Sequence, residues 1–203
     1  FGDAKLRIRM TDASGLINLN TADPELLKAL LTAAGLEGRD RDRLAMAILE
    51  QRNPTESQHP VARFNPGLPP PRLMSIEEVQ QTPGMTPAIY ARIAGLVTVF
   101  SDHQGVNPLL APLPVLRALG MDERAAADYV ETRARVTTGN LPPPVPASRS
   151  PFLFPQDRAS VYHVTVAAET ATGTTATVTA VLDARRTTSG DYLPRLLVWR
   201  DGH

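Results

Sequence analysis

The chain has 203 residues, which is enough for one domain or two, each with its own buried core. Its 21 Lys and Arg residues balance its 21 Asp and Glu residues, which excludes a net charge that would attract nucleic acid or anionic lipid. No run of about 18 apolar residues is present, so no segment is suited to cross a bilayer. Cysteine is absent, which fits a reducing compartment and equally a secreted domain without disulfides.

Period-two alternation marks the first residues of the chain. Leu6, Ile8 and Met10 alternate with arginines, a turn sequence follows at 12–15, and alternation resumes over 17–20. This pattern predicts a β-hairpin with one buried face.

Helix-start signals dominate the next hundred residues. Asp23 is a good N-cap, Pro24 suits the first helical position, and Gly35 is a typical stop. Further helices are predicted over Leu44–Leu49, after the capping-box sequence at Ser75, after Thr86-Pro87 and after Asp122. The proline-rich stretch between Asn53 and Arg72 is predicted to be an excursion from this helical region.

The last third of the chain returns to period two. Residues 139–157 carry too many prolines for a helix, so they predict an extended connector. Strands are predicted over 162–168 and 176–182 across a turn at Thr172-Gly173, followed by a last strand in which Leu196 and Val198 oppose Leu197 and Trp199. The three strands predict an antiparallel meander.

Neither β segment is large enough to be stable by itself, because about three or more strands with a covered face are needed. We therefore expect an α+β fold in which 1–20 and 138–203 form one antiparallel sheet and 21–137 form a helical domain inserted in it. The apolar face of such a sheet needs a cover. Because the sequence begins at Phe1 without a methionine, we expect the covering helix to precede that residue.

One short pattern occurs twice in the chain. Ile17-Asn18 and Val106-Asn107 align, and the alignment continues through alanine and leucine positions into the following helices. An extended Asn before a helix can satisfy backbone donors and acceptors where strand pairing ends. The repeat predicts two equivalent strand-to-helix corners, with a ligand site at either corner as the alternative.

The order of four segments resembles a known family. These segments are DASGLINLNTA (12–22), LAMAILEQRNP (44–54), MSIEEVQQTPGMTPAIYARIAGLVTVFSDHQGVNPLLAP (74–112) and the closing LLVWR (196–200). Together they resemble the K-type minor pseudopilins of the type II secretion system, over nearly the whole chain. The sequence departs from the family at Leu109-Leu110, where Asn-Thr is usual, and this weakens a polar role at the second corner.

The resemblance implies a pilin-like fold, in which a long hydrophobic N-terminal helix packs on an antiparallel sheet and a large helical domain is inserted in that sheet. It also implies a non-enzymatic function at the tip of the periplasmic pseudopilus of a Gram-negative bacterium. The implied partners are the I-type and J-type minor pseudopilins and other inner-membrane components of the secretion system. A missing N-terminal helix would anchor the complete protein in the inner membrane.

Two sets of candidate site residues follow. If a helix or a partner covers the sheet, the apolar residues Ile8, Ile17, Val164 and Val166 are expected to contact it; the alternative is that they pack on the helical domain. Members of the resembled family bind calcium, and oxygen-rich loops suit that cation. The calcium candidates are Asp102, Asn107, Asp183 and Asp191, while Asp40 and Asp42 lie among arginines and favour solvated ion pairs.

Two other functions compete with assembly. The segment TPGMTPAIYARI (82–93) resembles the hairpin of helix-hairpin-helix modules, which hold a DNA phosphate, but Thr86 replaces the second glycine and no lysine follows closely. Catalysis is not expected, because the four histidines are scattered and Asp102-His103 are neighbours in an extended stretch.

Overall fold

The computed structural model describes residues 4–53, 72–101, 104–135, 143–144, 152–153, 161–184 and 194–202. Helices and a four-stranded antiparallel sheet form a mixed fold that is compatible with the expected α+β class. The strands are β1 (Lys5–Asp12), β2 (Ile17–Asn18), β3 (Val97–Thr98), β4 (Val161–Glu169), β5 (Thr175–Asp183) and β6 (Arg195–Gly202). The α-helices are α1 (Pro24–Ala33), α2 (Gly38–Arg52), α3 (Pro87–Ile93), α4 (Leu113–Ala118) and α5 (Glu123–Ala134), and two 3-10 helices are η1 (Ala13–Gly15) and η2 (Ile76–Gln81).

Strands from both ends of the chain share the larger sheet, as expected from the sequence. The strand order is β1-β4-β5-β6, and every neighbouring pair is antiparallel. All the described helices lie between β1 and β4 in the chain. The predicted turn of the meander at Thr172-Gly173 is present, with Gly173 at a φ of +82°.

The caps predicted from the sequence are present where the helices begin. Asp23 accepts a hydrogen bond from the Leu26 backbone N–H at 2.7 Å and so begins α1. Asp122 caps α5 through the backbone of Arg124 at 3.0 Å. The capping box between Ser75 and Glu78 is formed, but the segment that it begins is the 3-10 helix η2. Caps define where a helix begins and do not decide whether its turns are α or 3-10.

The apolar stripes of the helices meet in a larger core. Its fully buried members include Leu27, Leu30, Ile48, Val79 and Leu116. A smaller core lies between the sheet and the helices and contains Ala13, Val161 and Val181, with Phe100, Leu197 and Val198 packed against them.

The predicted β-hairpin over residues 6–20 is wrong. Asp12 accepts hydrogen bonds from the Ser14 backbone N–H at 2.9 Å and from its hydroxyl at 2.7 Å, which turns the chain into η1. After this turn Ile17 pairs in parallel with Val97 in a separate two-stranded sheet, while β1 pairs with β4. The chain therefore passes from the sheet to the larger core within η1.

The predicted faces of the last strand are also wrong. Trp199 lies opposite Ala180 and Val198 opposite Val181, but Leu196 lies opposite Leu182, so Leu197 is an extra residue in β6. This bulge breaks the period of two. Leu196 and Trp199 consequently share one face of the sheet.

The proline-rich excursion at 54–71 lies outside the described residues. The predicted connector at 139–157 does so too, except at 143–144 and 152–153.

Candidate functional site

The apolar face of the four-stranded sheet is the main candidate for a functional surface. In β1 the even-numbered residues point to this face, and the register places Ile8 directly opposite Val166 and Met10 opposite Val164. The face continues across β5 to β6. We call it the apolar sheet face; its larger members are Leu6, Ile8, Met10, Val164, Val166, Leu196 and Trp199.

This face is open to solvent in the structure. Ile8 is 62% exposed, Met10 59% and Trp199 58%. Of the seven large hydrophobic residues that are exposed in the described part of the chain, five belong to this face. Single exposed apolar residues are ordinary, but contiguous apolar patches mark surfaces that bind another element or protein.

The helices contact the opposite face of the sheet. The His163 imidazole Nε2 lies 2.9 Å from the buried Thr98 hydroxyl of β3, and the Phe100 ring lies with its centroid 6.2 Å from that of the imidazole. Arg200 of β6 pairs with Glu77 of η2 at 2.5 Å. His163 and Arg200 are direct neighbours of Val164 and Trp199 on their strands, so their side chains point to the other side of the sheet. The described helical region, which contacts these two residues, therefore leaves the apolar sheet face uncovered.

The His163 imidazole is partly buried at this junction. Burial of the imidazole, followed by the nearby Arg200 guanidinium, lowers the pKa of His163 from 6.5 to about 4. The imidazole is consequently neutral at pH 7, and it joins the sheet to the helical region by a hydrogen bond rather than by charge.

The structure places the four predicted partner residues in two environments. Ile8 is exposed on the apolar sheet face, and Val164 and Val166 are half-buried beside it. Ile17 is fully buried in the larger core, which corresponds to the alternative that it packs on the helices. The large exposed side chains of Leu196 and Trp199 were missed, because the bulge that brings them together has no signal in single-strand alternation.

The two asparagine corners are equivalent in detail. The Asn18 Oδ1 accepts from the Asn20 N–H at 2.9 Å, and the Asn107 Oδ1 accepts from the Leu109 N–H at 3.0 Å. The Asn18 carbonyl accepts from the Ala22 N–H at 2.8 Å, and the Asn107 carbonyl from the Ala111 N–H at 2.9 Å. Both amides are buried. Two equivalent corners are therefore present, as the repeat predicts, and a ligand site at either corner stays an alternative.

Each corner is completed by an arginine that the sequence analysis missed. Arg52, at the end of α2, donates to the Leu19 carbonyl at 2.9 Å and to the Ala22 carbonyl at 2.6 Å. Arg133, near the end of α5, donates to the carbonyls of Pro108 and Ala111. Burial lowers the pKa of both guanidinium groups below the ordinary arginine value.

The calcium candidates are not brought together by what the structure describes. Asp102 and Asp191 lie outside the described residues, Asn107 is occupied at its corner, and Asp183 is buried at the end of β5 opposite Arg195. Within the described ranges no group of three or more acidic, histidine or cysteine side chains could hold a metal ion. Calcium binding stays a prediction.

The competing functions also stay predictions. Gly84 turns the helix-hairpin-helix-like segment with a φ of +92°, and the Thr86 hydroxyl accepts from the Ile89 N–H at 3.2 Å to begin α3. Of the histidines, His59, His103 and His203 lie outside the described residues. Among the helices that the structure describes, none has the length and apolar character needed to cross a membrane.

Comparison of the sequence with models of known protein families gave no match. A search of curated proteins gave no significant match either.

Proposed function

We propose that the chain is the pilin-like domain of a K-type minor pseudopilin and acts by assembly at the tip of a type II secretion pseudopilus. The observation that supports this most is the uncovered apolar sheet face. In the family that the sequence resembles, the long N-terminal helix packs on such a sheet.

The chain order of the elements supports the same proposal. The strand before the helices and the strands after them belong to one sheet, and the helices attach to the side of that sheet opposite the apolar face. In our proposal residues 21–137 form the inserted helical domain of the pseudopilin, and residues 1–20 and 138–203 contribute its pilin-like part.

A tip position follows from the bulk of the helical region. A filament grows by repeating one head-to-tail contact, and a large domain on one side of a subunit obstructs the next subunit there. A subunit that accepts neighbours on one side only ends the filament. On this proposal the complete protein is anchored in the inner membrane, its domain is periplasmic, and its partners are the I-type and J-type minor pseudopilins.

The direct test is complex formation with these partners. The chain is mixed with the periplasmic domains of the I-type and J-type pseudopilins from the same genome, and the mass is measured by light scattering. We expect a heterotrimer. Since no described helix covers the apolar sheet face of the chain used here, a partner can contact it in this complex. We therefore expect Ile8→Glu to weaken the complex at least about tenfold, because a charge cannot be buried on that face without a large penalty.

Met46→Glu is the matched control, since Met46 is an exposed apolar residue of α2 that lies outside the sheet. No complex with the wild-type chain, or equal weakening by both substitutions, would contradict the proposal. Retention of duplex DNA by the chain, with loss on raising the salt concentration, would instead favour a nucleic-acid-binding module.

A further inference from the structure

Among the described strands, β1 has one edge to which no strand is paired. β1 ends the four-stranded sheet, and β4 is its partner among the described residues. Residues 5–10 are all exposed. An edge strand of this length presents a row of backbone N–H and C=O groups to which another strand can bind.

The same strand carries a row of positive charges. Lys5, Arg7 and Arg9 alternate along β1, so their side chains lie on the polar face of the sheet, opposite the apolar sheet face. We call these three residues the basic edge. Directly across on β4 they meet Glu169, Ala167 and Thr165, so only Lys5 has an acidic residue opposite.

The two arginines of the basic edge face no acidic residue on β4. Among the residues that the structure describes, no acidic side chain forms an ion pair with Arg7 or Arg9. A groove of about 530 Å³ runs beside Lys5 and Arg7, and a cleft of about 370 Å³ lies between Arg9 and Arg200. Both depressions lie over β4 and β5 rather than at the outer edge of β1, and Glu169 lines the groove, so the attraction for a carboxylate rests on the basic edge itself.

We propose that β1 binds an extended, acidic segment of a partner protein by strand addition. The segment carries Asp or Glu at alternate positions, which face the basic edge, and apolar residues between them, which extend the row formed by Leu6, Ile8 and Met10. Backbone pairing supplies affinity in this mode, and alternate side chains supply selectivity. The apolar residues of the segment border the apolar sheet face, but binding rests on the backbone edge of β1 and on the basic edge, so it does not depend on the pseudopilin proposal.

A second copy of the chain is a poor occupant of this edge. Pairing two β1 strands would place two basic edges side by side on one face, and like charges opposite each other destabilise a sheet. Phosphates of lipid or nucleic acid could approach the arginines, but they cannot pair with the backbone edge, and the zero net charge of the chain gives them no long-range attraction.

The test uses a labelled, end-capped eight-residue peptide of alternating Glu and Val, with binding measured by fluorescence anisotropy at low salt. We expect the wild-type chain to bind it and to reject the matched peptide of alternating Lys and Val. The double substitution Arg7→Glu/Arg9→Glu should weaken binding at least about tenfold, because it reverses the charges that select the peptide. Arg124→Glu, on an exposed turn of α5, is the matched control and should leave binding unchanged.

Backbone pairing is tested separately from charge. Two further Glu-Val peptides carry N-methyl groups on the two alternate sets of amides, of which only one set can face β1. Loss of binding for one peptide and retention for the other is the expected result. Should the reversed variant fail to fold by circular dichroism, the neutral Arg7→Gln/Arg9→Gln variant replaces it.

The proposal is overturned by the absence of peptide binding, by equal binding of both N-methylated peptides, or by equal binding of the Lys peptide. It is also overturned if Arg7 and Arg9 are needed for binding anionic vesicles or duplex DNA and not for binding the Glu peptide. Each of these results leaves the heterotrimer experiment unaffected, so failure of this inference and failure of the proposed function can be distinguished.

Discussion

At the scale of single residues, the two arginines that complete the corners are expected to stabilise the fold strongly. Arg52 donates hydrogen bonds to the buried carbonyls of Leu19 and Ala22 in the first corner. Among the described residues, no other donor reaches these two carbonyls. Hydrogen bonds from a charged group are each worth about 1.5–3 kcal/mol, and buried acceptors left without a donor add a penalty.

We therefore predict that Arg52→Met lowers the free energy of unfolding by about 3–6 kcal/mol, measured by urea denaturation. Met fills most of the same volume, so the loss reports the hydrogen bonds rather than a cavity. Arg124→Met, which removes an exposed arginine of α5, should change the free energy by no more than about 0.5 kcal/mol. A loss below about 1 kcal/mol for Arg52→Met would show that the corner is held by other contacts.

His163 gives a prediction on pH. Its pKa is lowered to about 4 by burial and by Arg200, whereas the unfolded chain has the ordinary value of 6.5. The unfolded state therefore binds a proton first as the pH falls, and this proton uptake favours unfolding. Stability linked to His163 is fully present above pH 6.5 and is lost between pH 6.5 and 4.

The shift corresponds to a loss of about 3 kcal/mol at pH 4 relative to pH 7.5, since one pKa unit is worth about 1.4 kcal/mol. In His163→Gln a neutral amide faces Thr98 and does not titrate. The difference between the two chains in denaturant unfolding at the two pH values isolates the imidazole from the carboxylates, which titrate in both. An NMR titration that gives His163 a pKa of 6 or more would contradict the prediction.

At the scale of secondary-structure elements, η1 packs closely against the second corner. The Asn107 N–H donates to the Ser14 carbonyl at 2.7 Å, and a Cβ placed on Gly15 would lie 2.5 Å from the Leu110 carbonyl oxygen and 2.9 Å from the Ala111 nitrogen. These neighbours are backbone atoms, which cannot rotate away as a side chain can. The contact joins the end of β1 to the second half of the helical region.

We predict that Gly15→Ala lowers the free energy of unfolding by about 1–3 kcal/mol or more, because the added methyl group separates the two backbones. Gly95→Ala is the matched control: nothing lies within 4 Å of its added Cβ. It should be neutral or stabilise the chain by up to about 1 kcal/mol, since alanine restricts the unfolded chain. Equal effects of the two substitutions in denaturant unfolding would show that η1 and the corner are not in close contact.

The secondary-structure elements show that the local sequence determines where a helix begins but not which strands pair. Asp23, Thr86 and Asp122 cap their own helices, so a few neighbouring residues were sufficient to predict where those helices begin. The hairpin failed because alternation identifies a strand and its faces but not the strand with which it pairs. Asp12 redirects the chain through a capped 3-10 turn, and β2 finds its partner about 80 residues away at Val97.

The residues of the candidate site also divide into those set by the local sequence and those set by contacts with distant residues. The apolar face of β1 could be predicted from its alternation, together with the argument that no predicted helix lies outside residues 21–137 to cover it. Trp199 could not be assigned to that face, because its orientation depends on a bulge produced by pairing with β5. Arg52 and Arg133 could not be predicted either, since their carbonyl partners lie 22 to 33 residues away in the chain.

At the scale of the whole molecule, the two faces of the sheet have different neighbours. The polar face contacts the helices at one end through His163 and Arg200, and the apolar sheet face remains available for a helix or a partner. Covering this face should bury Trp199, the one tryptophan of the sequence. Its indole N–H donates to Asp201 at 3.1 Å, and 58% of the residue is exposed in the structure.

Trp199 is therefore an intrinsic reporter of assembly. We predict that its emission lies at long wavelength and is strongly quenched by acrylamide in the isolated chain. Addition of the I-type and J-type partners, in versions whose tryptophans are replaced by phenylalanine, should move the emission to shorter wavelength and lower the quenching constant at least about twofold, because the interface core excludes water. Ile8→Ser should weaken both changes, and Met46→Ser should weaken neither. If a complex of the expected mass forms while Trp199 stays equally accessible to acrylamide, the partners bind elsewhere and the apolar sheet face is not the assembly surface.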